Sequence, residues 1–237
     1  MKKILRAGVA TLIATLISTS AAAADFTDVR TLSQDAFRQL SKDLASVIAL
    51  RALAPGLNVN LLGVNVGIEA GVTQVANKHT WQKAGGGSTT VFTPRVTINK
   101  GFGALDLGVA VGLGSGGGAQ TIGGVARYQM IDAGVISPSA MLRLSGNRDL
   151  GSTNVGVRSF GADIVVAKPL LIVTPYLGAG TVRSNASAPG TSLRSESASR
   201  SRLFVGFDTH LPFAALSAEA EKIGGATTIS TKIGFKF

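Results

Sequence analysis

The sequence predicts an all-β fold: a closed antiparallel transmembrane β-barrel of about ten strands, with roughly 8 to 12 admissible, preceded by one N-terminal amphipathic helix. Three observations carry this. From residue 57 onward apolar residues recur with period two, the spacing of a strand with one apolar and one polar face. Mean hydropathy is positive at +0.33 with only 15% charged residues, yet after Ala24 no run of 18 apolar residues could form a membrane helix. The chain finishes on one of its most regular strands, Thr227 to Phe237, where an unpaired end would fray.

Taken in order, residues 1–24 read as a secretory signal peptide. Lys2, Lys3 and Arg6 precede an apolar stretch, Ala7 to Ile17, and a run of small residues to Ala24. About 11 apolar residues are too few to span the roughly 30 Å hydrocarbon core. Removing this segment takes away three positive charges and no negative ones, lowering the formal charge from +10 to +7.

Residues 25–56 form the second unit, an amphipathic helix and its linker. Val29, Leu32, Ala36, Phe37, Leu40, Leu44, Val47, Ile48 and Arg51 recur at three- and four-residue steps. Asp28, Arg30, Gln34, Asp35, Arg38, Lys42 and Asp43 take much of the opposite face. The spacing predicts a helix of about 20 to 25 residues, and Ala54-Pro55-Gly56 ends it. Its polar face is balanced in charge rather than basic, which disfavours anionic lipid as the surface it lies on. The expectation is that it occludes the bore or its periplasmic mouth, since 25 residues reach about 38 Å.

Residues 57–237 form the barrel. The strands are read at about 60–76, 88–99, 103–113, 118–131, 138–146, 153–167, 171–184, 199–211, 214–222 and 226–237. In the third, Leu105, Leu107, Val109, Val111 and Leu113 alternate with Asp106, Gly108, Ala110 and Gly112. Such strands are longer than the 5 or 6 residues usual in globular sheets, which argues against a sandwich. Short links are expected at Lys100-Gly101-Phe102, Asp132–Ser137, Pro169-Leu170 and Pro212-Phe213. Longer outer loops are expected at 77–87, which holds Trp81, and at 185–198.

In the last strand Ile229, Ile233, Phe235 and Phe237 share one face. A terminal phenylalanine behind alternating apolar residues resembles the C-terminal signature of bacterial outer-membrane barrel proteins. That resemblance implies an outer-membrane location, contact with its lipid, and recognition of Phe235 and Phe237 by the barrel-assembly machinery. The segment Phe37-Arg38-Gln39-Leu40-Ser41-Lys42-Asp43-Leu44, followed by Leu53-Ala54-Pro55, resembles the start of a proteobacterial subgroup of small barrels.

The composition narrows the function. Basic residues are scattered and aromatics are 5% of the chain, so a nucleic-acid partner is not expected. There is no cysteine, so no disulfide or thiolate metal site contributes. Neither His79 nor His210 has neighbours at metal-ligand spacing, and no cofactor is expected. His79 reads as a solvated loop residue. His210 lies two residues from Asp208, but two polar bore groups explain that pair as well as catalysis does. No enzyme is expected.

By register the bore is lined by Glu69, Arg95, Asp106, Arg127, Arg143, Asp163, Arg202, Asp208 and Glu219, joined by Gln129, Glu221 and Lys232. Both signs are present, so pairing across the bore is expected. Interleaved glycines, among them Gly67 and Gly206, are expected to leave room inside. The reading is a non-enzymatic narrow conduit or binding barrel for a small solute, with the helix as plug. The alternatives are a structural or surface-contact barrel and, more distantly, a membrane-embedded acyl-chain enzyme.

Overall fold

A computed structural model describes residues 26–51, 53, 64–114, 119–134, 136–150, 154–211 and 214–236. The expected signal segment, most of the linker before the first strand, and Phe237 lie outside the described residues. A short 3₁₀ turn at Val29–Thr31 is followed by helix α1, Gln34–Ile48. Strand β1 covers Val64–Gln74, and a second helix, α2, covers Lys78–Lys83. The remaining strands are β2 Thr90–Phe102, β3 Leu105–Leu113, β4 Ala119–Ile131, β5 Ser139–Asp149, β6 Gly156–Ala167, β7 Val173–Ser187, β8 Glu196–His210, β9 Ala214–Ile223 and β10 Ala226–Lys236.

The ten strands close into an antiparallel barrel in which each pairs with its sequence neighbours and β1 pairs with β10. The last strand is therefore no edge: Asn65 opposes Lys236 and Gln74 opposes Thr227. Closure satisfies backbone groups on both sides of every strand, the condition for crossing a bilayer with sheet. Outward positions are apolar and exposed, among them Ile68, Val72, Ile98, Val109, Ile164, Leu203, Val205 and Ile229. Phe102, Tyr128, Phe207 and Phe235 add exposed rings toward one end, as in the aromatic girdles at a membrane interface. A closed antiparallel barrel with an apolar outer face has the architecture of a membrane-spanning barrel.

One end, the turn end, carries the start of β1, the end of β10 and the links β2–β3, β4–β5, β6–β7 and β8–β9. The other, the loop end, carries the two longest connections, 75–89 and 188–195. Several boundaries differ from expectation. Lys100–Phe102 belong to β2, and the turn lies at Gly103-Ala104, where Gly103 adopts φ +64°, a conformation that favours glycine. Segment 77–87 holds α2 rather than a plain loop. The β7–β8 ladder continues to Ala186 opposite Glu196, which shortens the expected loop 185–198, and β5 runs on to Asp149.

Helix α1 is 15 residues long, about 22 Å at 1.5 Å per residue, and shorter than the 20 to 25 residues expected. Ser33 ends it early by accepting a hydrogen bond from the Ala36 amide, an N-cap that breaks it from the 3₁₀ turn. It sits at the loop end, against the bore-facing sides of β6, β7 and β8 and against α2. The helix therefore does not lie at the turn end. Phe37, Leu40, Leu44 and Ile48 pack with Phe26, Trp81, Val75, Val155, Val157 and Ala186. The Trp81 indole meets Phe26 edge-on at 5.0 Å and donates to the Gly86 carbonyl at 2.8 Å.

Candidate functional site

The bore is polar and filled. Burial inside a closed wall is costly for a charge unless it is paired and hydrogen-bonded, and the wall supplies the partners. A chain of alternating sign crosses it. Arg143 lies 3.6 Å from Glu219 and 2.9 Å from Asp163. Asp163 also meets Arg202 at 3.2 Å, and Arg202 meets Glu221 at 2.5 Å. Glu221 in turn accepts from Arg51 at 2.8 Å. Separately, Arg95 pairs with Glu69 at 3.1 Å, and Arg127 pairs with Asp106. Asp208 accepts from Ser217 at 2.7 Å, and Lys232 reaches Asn99 at 3.5 Å. Gln129 stands nearer the turn end, half-buried, with its amide on the Ile131 carbonyl at 2.6 Å.

Arg51 comes from outside the wall. Below α1 the chain turns extended at Ala49 and drops into the bore. A helix leaves its last carbonyls without intrahelical partners, and its C-terminus carries partial negative charge. Wall side chains meet both needs. Arg95 donates to the Ile48 and Ala49 carbonyls at 3.2 and 3.0 Å, and Asn147 donates to Ile48 at 2.6 Å. Arg202 donates to the Leu50 carbonyl at 3.3 Å. The Arg51 guanidinium folds back to the Ser46 carbonyl at 2.7 Å and also reaches Thr73 and Thr228.

With Arg51 in place the charges balance. Arg51, Arg95, Arg127, Arg143, Arg202 and Lys232 stand against Glu69, Asp106, Asp163, Asp208, Glu219 and Glu221. The wall alone carries one acid in excess, so the descending segment completes its neutralisation. Sequence reading set Arg51 on an apolar helix face. A lone arginine in such a stripe was the available sign that a buried acid awaits it.

Two aromatic bore residues escaped the sequence reading, although both hold inward positions. Tyr176 donates to Glu219 at 3.1 Å, and its ring faces Phe204 at 6.4 Å. Phe204 carries the Arg143 guanidinium 4.0 Å above its ring, a cation–π contact. The expected spare volume around the glycines is occupied by their neighbours. A Cβ on Gly206 would lie 2.6 Å from Tyr176, and one on Gly67 would lie 2.6 Å from Lys232. A cavity lined by Leu50, Arg51, Glu69, Asn99, Arg127 and Lys232 measures about 10 Å³, the room of about one water.

His79 is exposed on α2, and His210 ends β8. Phe235 is on the outer face opposite Val66.

No protein family matches the chain, and no curated protein does. Among solved structures, the translocator domain of autotransporter NalP from Neisseria meningitidis is 12% identical, with 89% of this chain and 99% of that one covered at a TM-score of 0.42. Neisserial surface protein A is 17% identical, covering 73% and 94% at 0.34. The Acinetobacter baumannii outer membrane protein Omp33 is 11% identical, covering 75% and 100% at 0.33.

Proposed function

We propose that this protein is a non-enzymatic outer-membrane conduit for small solutes, closed by its own N-terminal segment. The observation that carries the reading is the seating of residues 48–51 within the bore by Arg95, Asn147, Arg202 and Glu221. The plug is thus the extended segment below α1, while the helix itself anchors it at the loop end. With the segment withdrawn, the bore would expose Glu69, Arg95, Asp163, Arg202, Glu219 and Glu221. That lining of both signs favours small polar solutes over apolar ones. A structural barrel is the second reading, favoured by how fully the wall charges pair with one another.

Planar-bilayer recording separates the two. Deleting residues 26–53 should turn a silent or rarely open barrel into one with steady ohmic steps. A deletion variant that inserts, keeps its β-sheet circular dichroism and stays silent would sink the conduit reading. The expected recognition of Phe235 and Phe237 by the assembly machinery is tested by deleting Phe237, which should lower the membrane yield.

A further inference from the structure

Three arginines on the outer face lack the partners that the bore arginines have. Arg148 on β5 is directly opposite Arg158 on β6, which places their Cβ atoms roughly 5 Å apart. Arg183 on β7 pairs with Phe160, two residues along from Arg158, a diagonal neighbour within roughly 7 to 8 Å. All three are exposed, and none is in an ion pair with another described residue. Like charges directly opposite on a sheet destabilise it. Asp149, the adjacent acid, has the opposite parity along β5 and is half-buried.

The position along the barrel matters. Below Arg158, the outward residues of β6 are Phe160, Ala162, Ile164 and Val166, and Phe160 and Ile164 are prominently exposed. The arginines therefore stand where the apolar belt gives way at the loop end, the level of lipid headgroups. Beside them is a shallow, open depression lined by Ile122, Gly123, Gly124, Gly146, Asn147 and Arg148. Gly124 and Gly146 oppose each other at outward positions, so the wall there has a trough without side chains. A Cβ on either would have ordinary clearance, its closest atom being 3.7 Å from Gly124 and 3.9 Å from Gly146. Packing inside the wall does not demand these glycines.

We infer that Arg148, Arg158 and Arg183 bind the phosphate of a membrane lipid in the loop-end leaflet, with one acyl chain lying in the Gly124–Gly146 trough. Guanidinium groups bind phosphate oxygens through paired, charge-assisted hydrogen bonds, and a bound anion relieves the repulsion between Arg148 and Arg158. The trough supplies an apolar slot immediately below the charges, the geometry of a headgroup above its chain.

The test uses the full barrel in octyl glucoside micelles, read by native mass spectrometry. Dioleoyl phosphatidic acid is titrated against dioleoyl phosphatidylcholine. Phosphatidic acid should be retained about tenfold more tightly, and Arg148→Gln with Arg158→Gln should erase the preference. Gly146→Leu, which the wall accommodates, should weaken phosphatidic acid binding severalfold while leaving the melting curve unchanged. Equal binding of the two lipids, or a double variant that binds like the parent, would overturn the inference. Displacement of the lipid by equimolar inorganic phosphate would also overturn it, as the mark of a simple anion site. A dimer that Gly146→Leu dissolves would reassign the trough to a second barrel.

Discussion

The N-terminal segment is held at its two halves by different balances of apolar and polar contact. Above, from Phe26 to Leu44, its buried face is packed by apolar contact with α2 and the loop ends of β6 and β7, while Gln34 and Arg38 reach Glu196 at the rim. Below, from Ser46 to Arg51, it is held by hydrogen bonds and ion pairs to the bore wall. Apolar burial is non-directional and scales with area, so the upper half sets how firmly the segment stays. Charge pairs in a closed bore are directional and nearly balanced against desolvation, so the lower half sets its register.

The sharpest way to break the comparison is at Trp81. It is fully buried between Phe26 and α1, and Trp81→Ala should cost about 3 to 5 kcal/mol of docking stability through lost contact and the cavity left. Hydrogen exchange should show α1 amides deprotected while β1–β10 amides keep their protection. Equal loss in the helix and the strands would mean that the upper cluster is part of the barrel's own stability.

Arg51→Ala should come next. Removing one member of a buried pair costs about 3 kcal/mol, because Glu221 is left with Arg202 alone in an acidic bore. A double-mutant cycle with Glu221→Gln should return a coupling of about 1 to 3 kcal/mol. In bilayers the single variant should open more often without the helix leaving, since the apolar anchor is untouched. Loss of α1 protection equal to that in Trp81→Ala would show that the two halves act as one.

The two halves also differed in how readable they were. Ten strands with their inward and outward faces could be read directly, because period two persists over long strands and a closed sheet imposes one register. The β2–β3 turn was misplaced because Gly101 and Gly103 are equivalent as turn residues, and only the pairing of Phe102 with Leu105 decides between them. Helix α2 is six residues long, too short for a helical period to emerge. The α1 stripe was visible, but its partner was not: Val155, Val157 and Ala186 lie over a hundred residues away and become a surface only when β6 and β7 stand side by side. Asp43 was placed on the polar face, though it is buried.

Asp43 joins the two halves and carries the smallest effect. Its carboxylate accepts from the Ala76 amide at 3.1 Å and the Asn77 amide at 2.9 Å, tying α1 to the end of β1. Burial pushes its pKa above the ordinary carboxylate value, and the hydrogen bonds from Asn77 and Ala76 offset this only in part. A carboxyl whose folded pKa is raised binds more protons when docked than when released. Docking therefore weakens as pH rises from the ordinary carboxylate value through the folded one, and it is strongest below that window. Exchange protection of α1, corrected for intrinsic rates, should increase on acidification from about pH 8 toward about pH 4. Asp43→Asn keeps an acceptor oxygen but cannot titrate, so its protection should lose this rise on acidification. A slope that survives in Asp43→Asn would place the titrating group elsewhere and leave Asp43 as a plain hydrogen-bond acceptor.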